Sequence, residues 1–132
     1  MRFASVRLVT KEFEALVSFY TLLSGTQAIR LSEGFAELRL DGATLAISVE
    51  RNVQLFNAGA AIAAANRSAI LEFQVADVDS VLACMRATAE LVQAPTVMPW
   101  GNRSLLIRDP DGNLVNVFSK PAEHEAPSRA GN

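Results

Sequence analysis

The feature that most constrains this chain is that it repeats itself. An offset of 65 carries Leu8 to Phe73, Thr10 to Val75, Glu12 to Asp77, Glu14 to Asp79, Leu16 to Val81 and Val17 to Leu82, and side-chain character is kept at each pair. Towards the end of each copy the offset becomes 70, carrying Gly42 to Gly112, Leu45 to Val115 and Ile47 to Val117, so the second copy holds about five extra residues, around positions 95–101. Each copy is therefore a supersecondary unit that has to bury its apolar face against something else.

The order of elements within a copy follows from periodicity. Residues 3–10 read as a strand, and residues 12–23 place Phe13, Leu16, Val17, Tyr20 and Leu23 at helical spacing before the stop at Ser24 and Gly25. Strands are expected at 27–31, 35–40 and 44–50, separated by Ser32-Glu33-Gly34 and by Asp41-Gly42, a strong hairpin signal. The second copy repeats this βαβββ order, with a strand at 68–75, a helix from 78 to about 89, and strands near 91–98, 102–108 and 114–119. The predicted class is α+β, with two tandem βαβββ modules forming one curved, cup-like mixed sheet and the helices outside. One domain over 1–120 is expected: module one at about 3–50, a linker at 51–67 that reads as loop or a short helical turn, and module two at about 68–119. The charged, Pro- and Ser-containing tail from about 121 to 132 is expected to be mobile.

Alternation assigns the faces. Leu45, Ile47 and Val49 are predicted to face a helix, leaving Thr44, Ala46, Ser48 and Glu50 for the hollow of the cup. In the second copy Val115 and Val117 face the helix, and Leu114, Asn116 and Phe118 face inward. The hollow is where a ligand would sit.

Bulk properties exclude several classes. A chain of 132 residues is one compact unit that needs neither disulfide nor metal to fold. A formal charge of −2 and a pI near 5.4, with no clustered Lys/Arg run, give no electrostatic case for nucleic acid or an anionic membrane. No apolar run approaches the roughly 18 residues of a membrane span, and the first residues do not read as a leader, so a cytoplasmic protein is expected. Cys84, beside Val81, Leu82 and Met85, is expected to be a small buried hydrophobe. The lone histidine, His124, lies in the tail and is expected to be solvated.

The segment Arg108-Asp109-Pro110-Asp111-Gly112-Asn113-Leu114-Val115-Asn116-Val117-Phe118 resembles the last hairpin of the glyoxalase / bleomycin-resistance / dioxygenase (vicinal oxygen chelate) superfamily. Phe19-Tyr20, Asp77-Val78-Asp79 and Met98-Pro99-Trp100-Gly101-Asn102-Arg103-Ser104 are similar to other parts of it, over about residues 3–120. The resemblance implies the paired βαβββ fold, a small-molecule site in the hollow and a homodimer. Metal-dependent members usually take His and Glu ligands from the first and last strands of each module. The histidine-type positions fall here on Ser5 and Ile70, and the glutamate-type positions on Ala46 and Asn116. None of the four is an imidazole or a carboxylate, so no metal and no other cofactor is expected. Ser5 and Asn116 then read as polar lining.

Glu72, two residues after Ile70 on the same strand face, is the candidate catalytic or displaced-ligand carboxylate. The 65-residue offset pairs it with Arg7, and the two could balance charge, orient a polar ligand, or leave Glu72 as a general base. Ser48 and Phe118 are expected to line the hollow. Trp100, on the extra loop, could close over a planar ligand or serve as a packing anchor, and Arg103 and Arg39 could recognise an anion. Three readings follow: a metal-independent binder of an unidentified small organic molecule, of the bleomycin-resistance type; a lyase, isomerase or dioxygenase-like enzyme using a displaced metal site or Glu72; or an interaction module whose hollow is filled by its own side chains.

Overall fold

A computed structural model describes residues 1–121. The first half forms β1 (Ser5–Thr10), α1 (Phe13–Ser24), β2 (Ile29–Ser32), β3 (Phe35–Arg39), β4 (Thr44–Val49) and α2 (Glu50–Phe56). The second forms β5 (Ile70–Gln74), α3 (Val78–Met85), β6 (Glu90–Val97), β7 (Arg103–Arg108) and β8 (Leu114–Ser119). Both halves are βαβββ, as the repeat requires. They make two four-stranded mixed sheets, ordered β1-β4-β3-β2 and β5-β8-β7-β6. By contacts the chain divides into two compact units, Met1–Asn66 with Pro110–Gly112, and Arg67–Asp109 with the segment from Asn113 on.

The duplication extends to strand register. β1 runs parallel to β4 with Ser5 beside Thr44 and Arg7 beside Ala46, and β5 runs parallel to β8 with Ile70 beside Leu114 and Glu72 beside Asn116. Shifting the first set by 65 on β1 and by 70 on β4 gives the second. Most of the extra residues of the second copy lie in the β6–β7 turn, 98–102, where the β2–β3 turn has only 33–34, and β6 is an eight-residue edge strand with two register shifts where β2 has four residues and one shift. Pro95 is tolerated there because an edge strand has an unpaired side.

Each unit has its own core. In the first, Leu16, Val17, Phe19 and Tyr20 of α1 are buried, as are Ala36, Leu38, Leu45 and Ile47 of the strands it packs on. The helix stops at Gly25, whose positive φ of 69° lets its N–H turn back to Thr21 O. In the second unit Val78, Leu82 and Met85 of α3 are buried, together with Leu105, Ile107, Val115 and Val117. Val115 and Val117 are fully buried while Asn116 and Phe118 are half-buried, so the predicted alternation holds on β8.

Three expectations are corrected. Cys84 is exposed. At about 100° per residue it lies well round the helix from the stripe of Val78, Leu82 and Met85, so apolar neighbours in sequence do not bury it. Glu50 is not a strand residue facing the hollow but the first residue of α2, where its carboxylate accepts from Ala63 N at 2.8 Å and lies 3.6 Å from Lys11 Nζ. The second helix ends at Met85, short of position 89, in a turn closed by Thr88 N and Ala89 N donating to Met85 O. His124 and the rest of the tail from 122 lie outside the described residues. No helix among the described residues is long and apolar enough to cross a membrane.

Asp77 caps α3: its Oδ1 accepts from Ser80 N at 3.2 Å and its Oδ2 from Ser80 Oγ at 2.6 Å. These two bonds hold its carboxyl below the ordinary value of 3.8. A carboxyl lowered in the folded state adds stability above its unfolded value and loses it as pH falls through the folded one. Asp77→Ala is therefore expected to lower the melting temperature at pH 7, with the gap to the parent closing as pH drops below about 4. Asp77→Asn keeps a capping oxygen and is expected to behave as an intermediate. Thermal melts of the three proteins across pH 2–7 check this, and a pH-independent gap would contradict it.

Candidate functional site

Strand pairing decides which side chains share a face. In the first sheet, Ser5 and Arg7 on β1, Ala46 and Ser48 on β4, and Phe35 and Glu37 on β3 lie on one face, opposite the one α1 covers. Helix α2 packs against β1 and β4. Beneath it is a cavity of about 240 Å³ lined by Arg7, Ser48 and Phe35 from the sheet, Ser32 and Glu33 from the β2–β3 turn, and Asn52, Val53, Phe56 and Asn57 from α2 and its end. The α2 residues follow an i, i+1, i+4, i+5 spacing, which places them on one side of the helix.

The β2–β3 turn is fastened to α2. Asn52 Nδ2 donates to Glu33 O at 3.3 Å and to Gly34 O at 3.4 Å, and Val49 N donates to Gly34 O at 2.8 Å. Gly34 has φ +73°, and an added Cβ would run into the Val49 side chain, so this approach requires glycine. The Glu33 carboxylate is 95 % exposed and 3.9 Å from Arg51. Ser48 is buried, with its hydroxyl donating to Val49 O at 3.3 Å. Arg7 is exposed and enters no ion pair among the described residues.

In the second sheet, Ile70 and Glu72 of β5, Ser104 and Leu106 of β7, and Asn116 and Phe118 of β8 share the face opposite α3. Asn116 Nδ2 donates to Glu72 Oε2 at 2.9 Å, so the carboxylate already has a partner inside its own sheet. Asn116 Oδ1 is buried without a hydrogen-bond partner among the described residues. A buried acceptor in that state is under-satisfied and suited to a donor from outside the sheet.

Of the remaining sequence candidates, Arg103 and Trp100 lie apart, while Arg39 shares the open face of the first sheet with Ser5, across Thr44. Arg103 pairs with Ser119, on the other side of β7 from Ser104, and its guanidinium grips Asp79 of α3 through Nε at 3.1 Å and Nη2 at 2.9 Å. That bidentate pair raises its pKa further. Arg39 is held by Glu37 at 3.1 Å. Trp100 sits in the turn closed by Met98 N to Asn102 O and Gly101 N to Met98 O, and at 68 % exposure it anchors no core. Structure thus brings Glu72 to Asn116 and Arg7 to Ser48, with Ser5 two residues before Arg7 on the same strand face. Sequence reasoning missed Asn52, Phe56 and Asn57, whose signal was the helical spacing of an apolar and an aromatic residue within the supposed linker.

The sequence profile of the glyoxalase-like domain matches residues 3–121. This chain belongs to the glyoxalase-like domain family. Its fold is shared with a glyoxalase/bleomycin resistance protein/dioxygenase family enzyme from Burkholderia phytofirmans PsJN (20% identity, TM-score 0.79, covering 90% of this chain and 98% of that one). A glyoxalase/bleomycin resistance protein/dioxygenase from Nocardioides is similar at 23% identity and TM-score 0.74, over 96% of this chain and 87% of that one. A glyoxalase-related enzyme from Fulvimarina pelagi matches at 21% identity and TM-score 0.80, over 92% and 90%. At these identities the likeness is one of fold. No curated protein matches the chain.

Members of this type bind small molecules or act on them, some through a metal, and a divalent ion needs a set of strong donors. Among the described residues no three His, Cys, Asp or Glu side chains come together. Of the four expected ligand positions, Ser5 and Asn116 offer a hydroxyl and a neutral amide, and Ala46 and Ile70 offer no donor. Zinc, nickel, iron and manganese want imidazole, thiolate or carboxylate, and these residues do not fit them. Glu72 already accepts from Asn116, and Glu37, beside Ala46 on the first sheet, is paired with Arg39.

Proposed function

We propose that this glyoxalase-like domain is a metal-independent small-molecule-binding protein, of the bleomycin-resistance type, that holds an organic ligand against the open faces of its sheets. The observation that carries this reading is the donor set at the four expected metal positions, where Ser5 and Asn116 offer a hydroxyl and a neutral amide and Ala46 and Ile70 no donor, while the nearby Glu72 accepts from Asn116 at 2.9 Å and Glu37 is paired with Arg39 at 3.1 Å. Sequestering a ligand needs shape and a few polar groups rather than a reactive centre. Ser5, Arg7, Ser48, Asn116 and Phe118 are the proposed contacts, with Trp100 and Arg103 outside the two clusters. The protein is proposed to work in the cytoplasm as a homodimer. Exposed Leu55 and Ile62, on and after α2, provide apolar surface of the kind that favours association.

A second reading has one specific observation behind it. Glu72 is exposed on an open sheet face, oriented by Asn116 through one oxygen, with Oε1 making no hydrogen bond among the described residues. A carboxylate so placed could take a proton from a carbon acid, becoming the carboxylic acid as the carbanion forms.

Elemental mass spectrometry of the untagged protein, before and after incubation with zinc, nickel, manganese and iron(II), separates the two classes. The expected result is near-zero metal under every condition. Stoichiometric metal that disappears in Glu72→Gln would overturn the proposal and make a metal-assisted enzyme the better account.

A further inference from the structure

We infer that the cavity beneath α2 in the first unit is a subsite for a small organic monoanion with a flat apolar body, such as an aromatic carboxylate. This rests on the small-molecule-binding reading and names the class of ligand.

The charge follows from the lining. Arg7 is the single cationic side chain on the cavity, and among the described residues no carboxylate neutralises it. The other ionisable residue in the lining, Glu33, has its carboxylate 95 % exposed and 3.9 Å from Arg51, so solvent and that guanidinium screen its charge. One fixed positive charge with no countercharge favours a singly charged anion, and a guanidinium presents parallel N–H donors that match a carboxylate edge.

The body of the ligand follows from the walls. Phe35 lies on the sheet side and Phe56 on the helix side, with the buried Val53 also in the α2 wall. Phe56 is 79 % exposed although its neighbour Val53 is buried, which leaves an aromatic ring at the cavity rim with much of its surface uncovered. Two rings and a valine suit a planar, apolar group. The polar residues are of the neutral kind. Ser48, buried and donating its proton to Val49 O, keeps lone pairs that can accept from a ligand hydroxyl. A volume of about 240 Å³ is below the roughly 300–1,000 Å³ of drug-sized sites, so the occupant is one ring and a short acid.

The position is also built to hold its shape. Asn52 ties α2 to the β2–β3 turn, and Gly34 allows the turn to approach Val49, so the two walls are joined by hydrogen bonds rather than only by contact.

The test is a titration of the full chain, observed through backbone amide NMR shifts, with benzoate, benzyl alcohol, benzylamine and acetate. Benzoate is expected to shift the amides of Arg7, Ser48, Val53 and Phe56. Benzyl alcohol and acetate should bind at least about tenfold more weakly, and benzylamine not at all. Arg7→Gln, at an exposed position, should keep the fold and weaken benzoate by about tenfold to a hundredfold while leaving benzyl alcohol unchanged. Phe56→Ala should weaken both ring compounds alike. Equal binding of benzylamine and benzoate, with Arg7→Gln silent, would overturn the anionic class and leave small-molecule binding standing. Shifts confined to Glu72, Asn116 and their neighbours would overturn this site but again not that reading. No shift with these four or with a wide organic fragment set would overturn both.

Discussion

Ile47→Ala is expected to lower the free energy of unfolding by about 3 kcal/mol, within the range of roughly 2–5 kcal/mol for removing a fully buried isoleucine side chain to its Cβ. Ile47 is completely buried in β4, the strand that joins parallel β1 to antiparallel β3, and it lies beside Leu8 on one side and Ala36 on the other. The face it shares with Leu45 and Leu38 is the one α1 covers with Leu16, Val17 and Tyr20. Strands on both sides and a helix above leave little freedom to collapse into the space, so the cavity term adds to the lost transfer energy. Ile47→Val should cost only about 1 kcal/mol. The equivalent position of the second unit, Val117, is equally buried between Phe73 and Leu105, and Val117→Ala should cost less than Ile47→Ala because fewer carbons are lost. Urea unfolding followed by circular dichroism measures all three, and a loss below about 1 kcal/mol for Ile47→Ala would mean that β4 does not centre its core.

How much of this was legible from the sequence depends on whether a residue's partner lies at a distance the pattern encodes. The repeat was legible because equivalent positions must bury equivalent faces: Leu45 and Ile47 against Val115 and Val117 gave both the strand faces and the shift between copies, and the β1–β4 and β5–β8 registers agree with it. Strand ends were set by local turn chemistry, as at Asp41-Gly42, where Leu40 N donates to Ala43 O. The linker sequence does not separate loop from short helix at α2, because the helix is seven residues long and buries one side chain, Val53, too few for a helical period to stand out. Its first residue, Glu50, followed the alternation of β4 and so looked like one more strand position.

The site was legible in part, for a related reason. Glu72 was found by type and strand face, but its partner was sought through the repeat, at Arg7. Equivalence of position says nothing of contact. The partner that strand pairing supplies is Asn116, directly across the parallel β5–β8 ladder and 44 residues along the chain. Arg103 shows the same limit from the other direction, since its neighbour Ser104 faces the open side while Arg103 itself is taken by Asp79. The cavity under α2 needed three separate segments, and no spacing in the sequence links Arg7, Phe35 and Phe56.

Asp109→Ala is expected to cost about 2–4 kcal/mol, because it strips acceptors from two buried N–H groups, each worth about 1–3 kcal/mol when left unsatisfied. In the turn between β7 and β8, Asp109 Oδ1 accepts from Asn113 N at 2.9 Å and Oδ2 from Asn113 Nδ2 at 2.7 Å, while Asp109 N donates to Asn113 O at 3.1 Å. Both residues are 5 % exposed. Between them Pro110 fits an early turn position and Gly112 takes φ +82°, so the backbone favours the turn, and the Asp109 carboxylate satisfies the donors it buries. Asn113→Ala removes the side-chain arm alone and keeps the bond from the residue 113 N–H, so it should cost less than Asp109→Ala. Asp109→Asn retains one oxygen and should fall between the parent and Asp109→Ala. Because β8 carries Asn116 two residues after Leu114, loosening this turn should also disturb the Glu72–Asn116 pair, visible as changed amide shifts at Glu72 and Asn116 in folded Asp109→Asn. If Asp109→Ala costs under about 0.5 kcal/mol, the magnitude of an ordinary surface change, the proline and glycine hold the turn without the carboxylate and the buried bonds contribute no net stability.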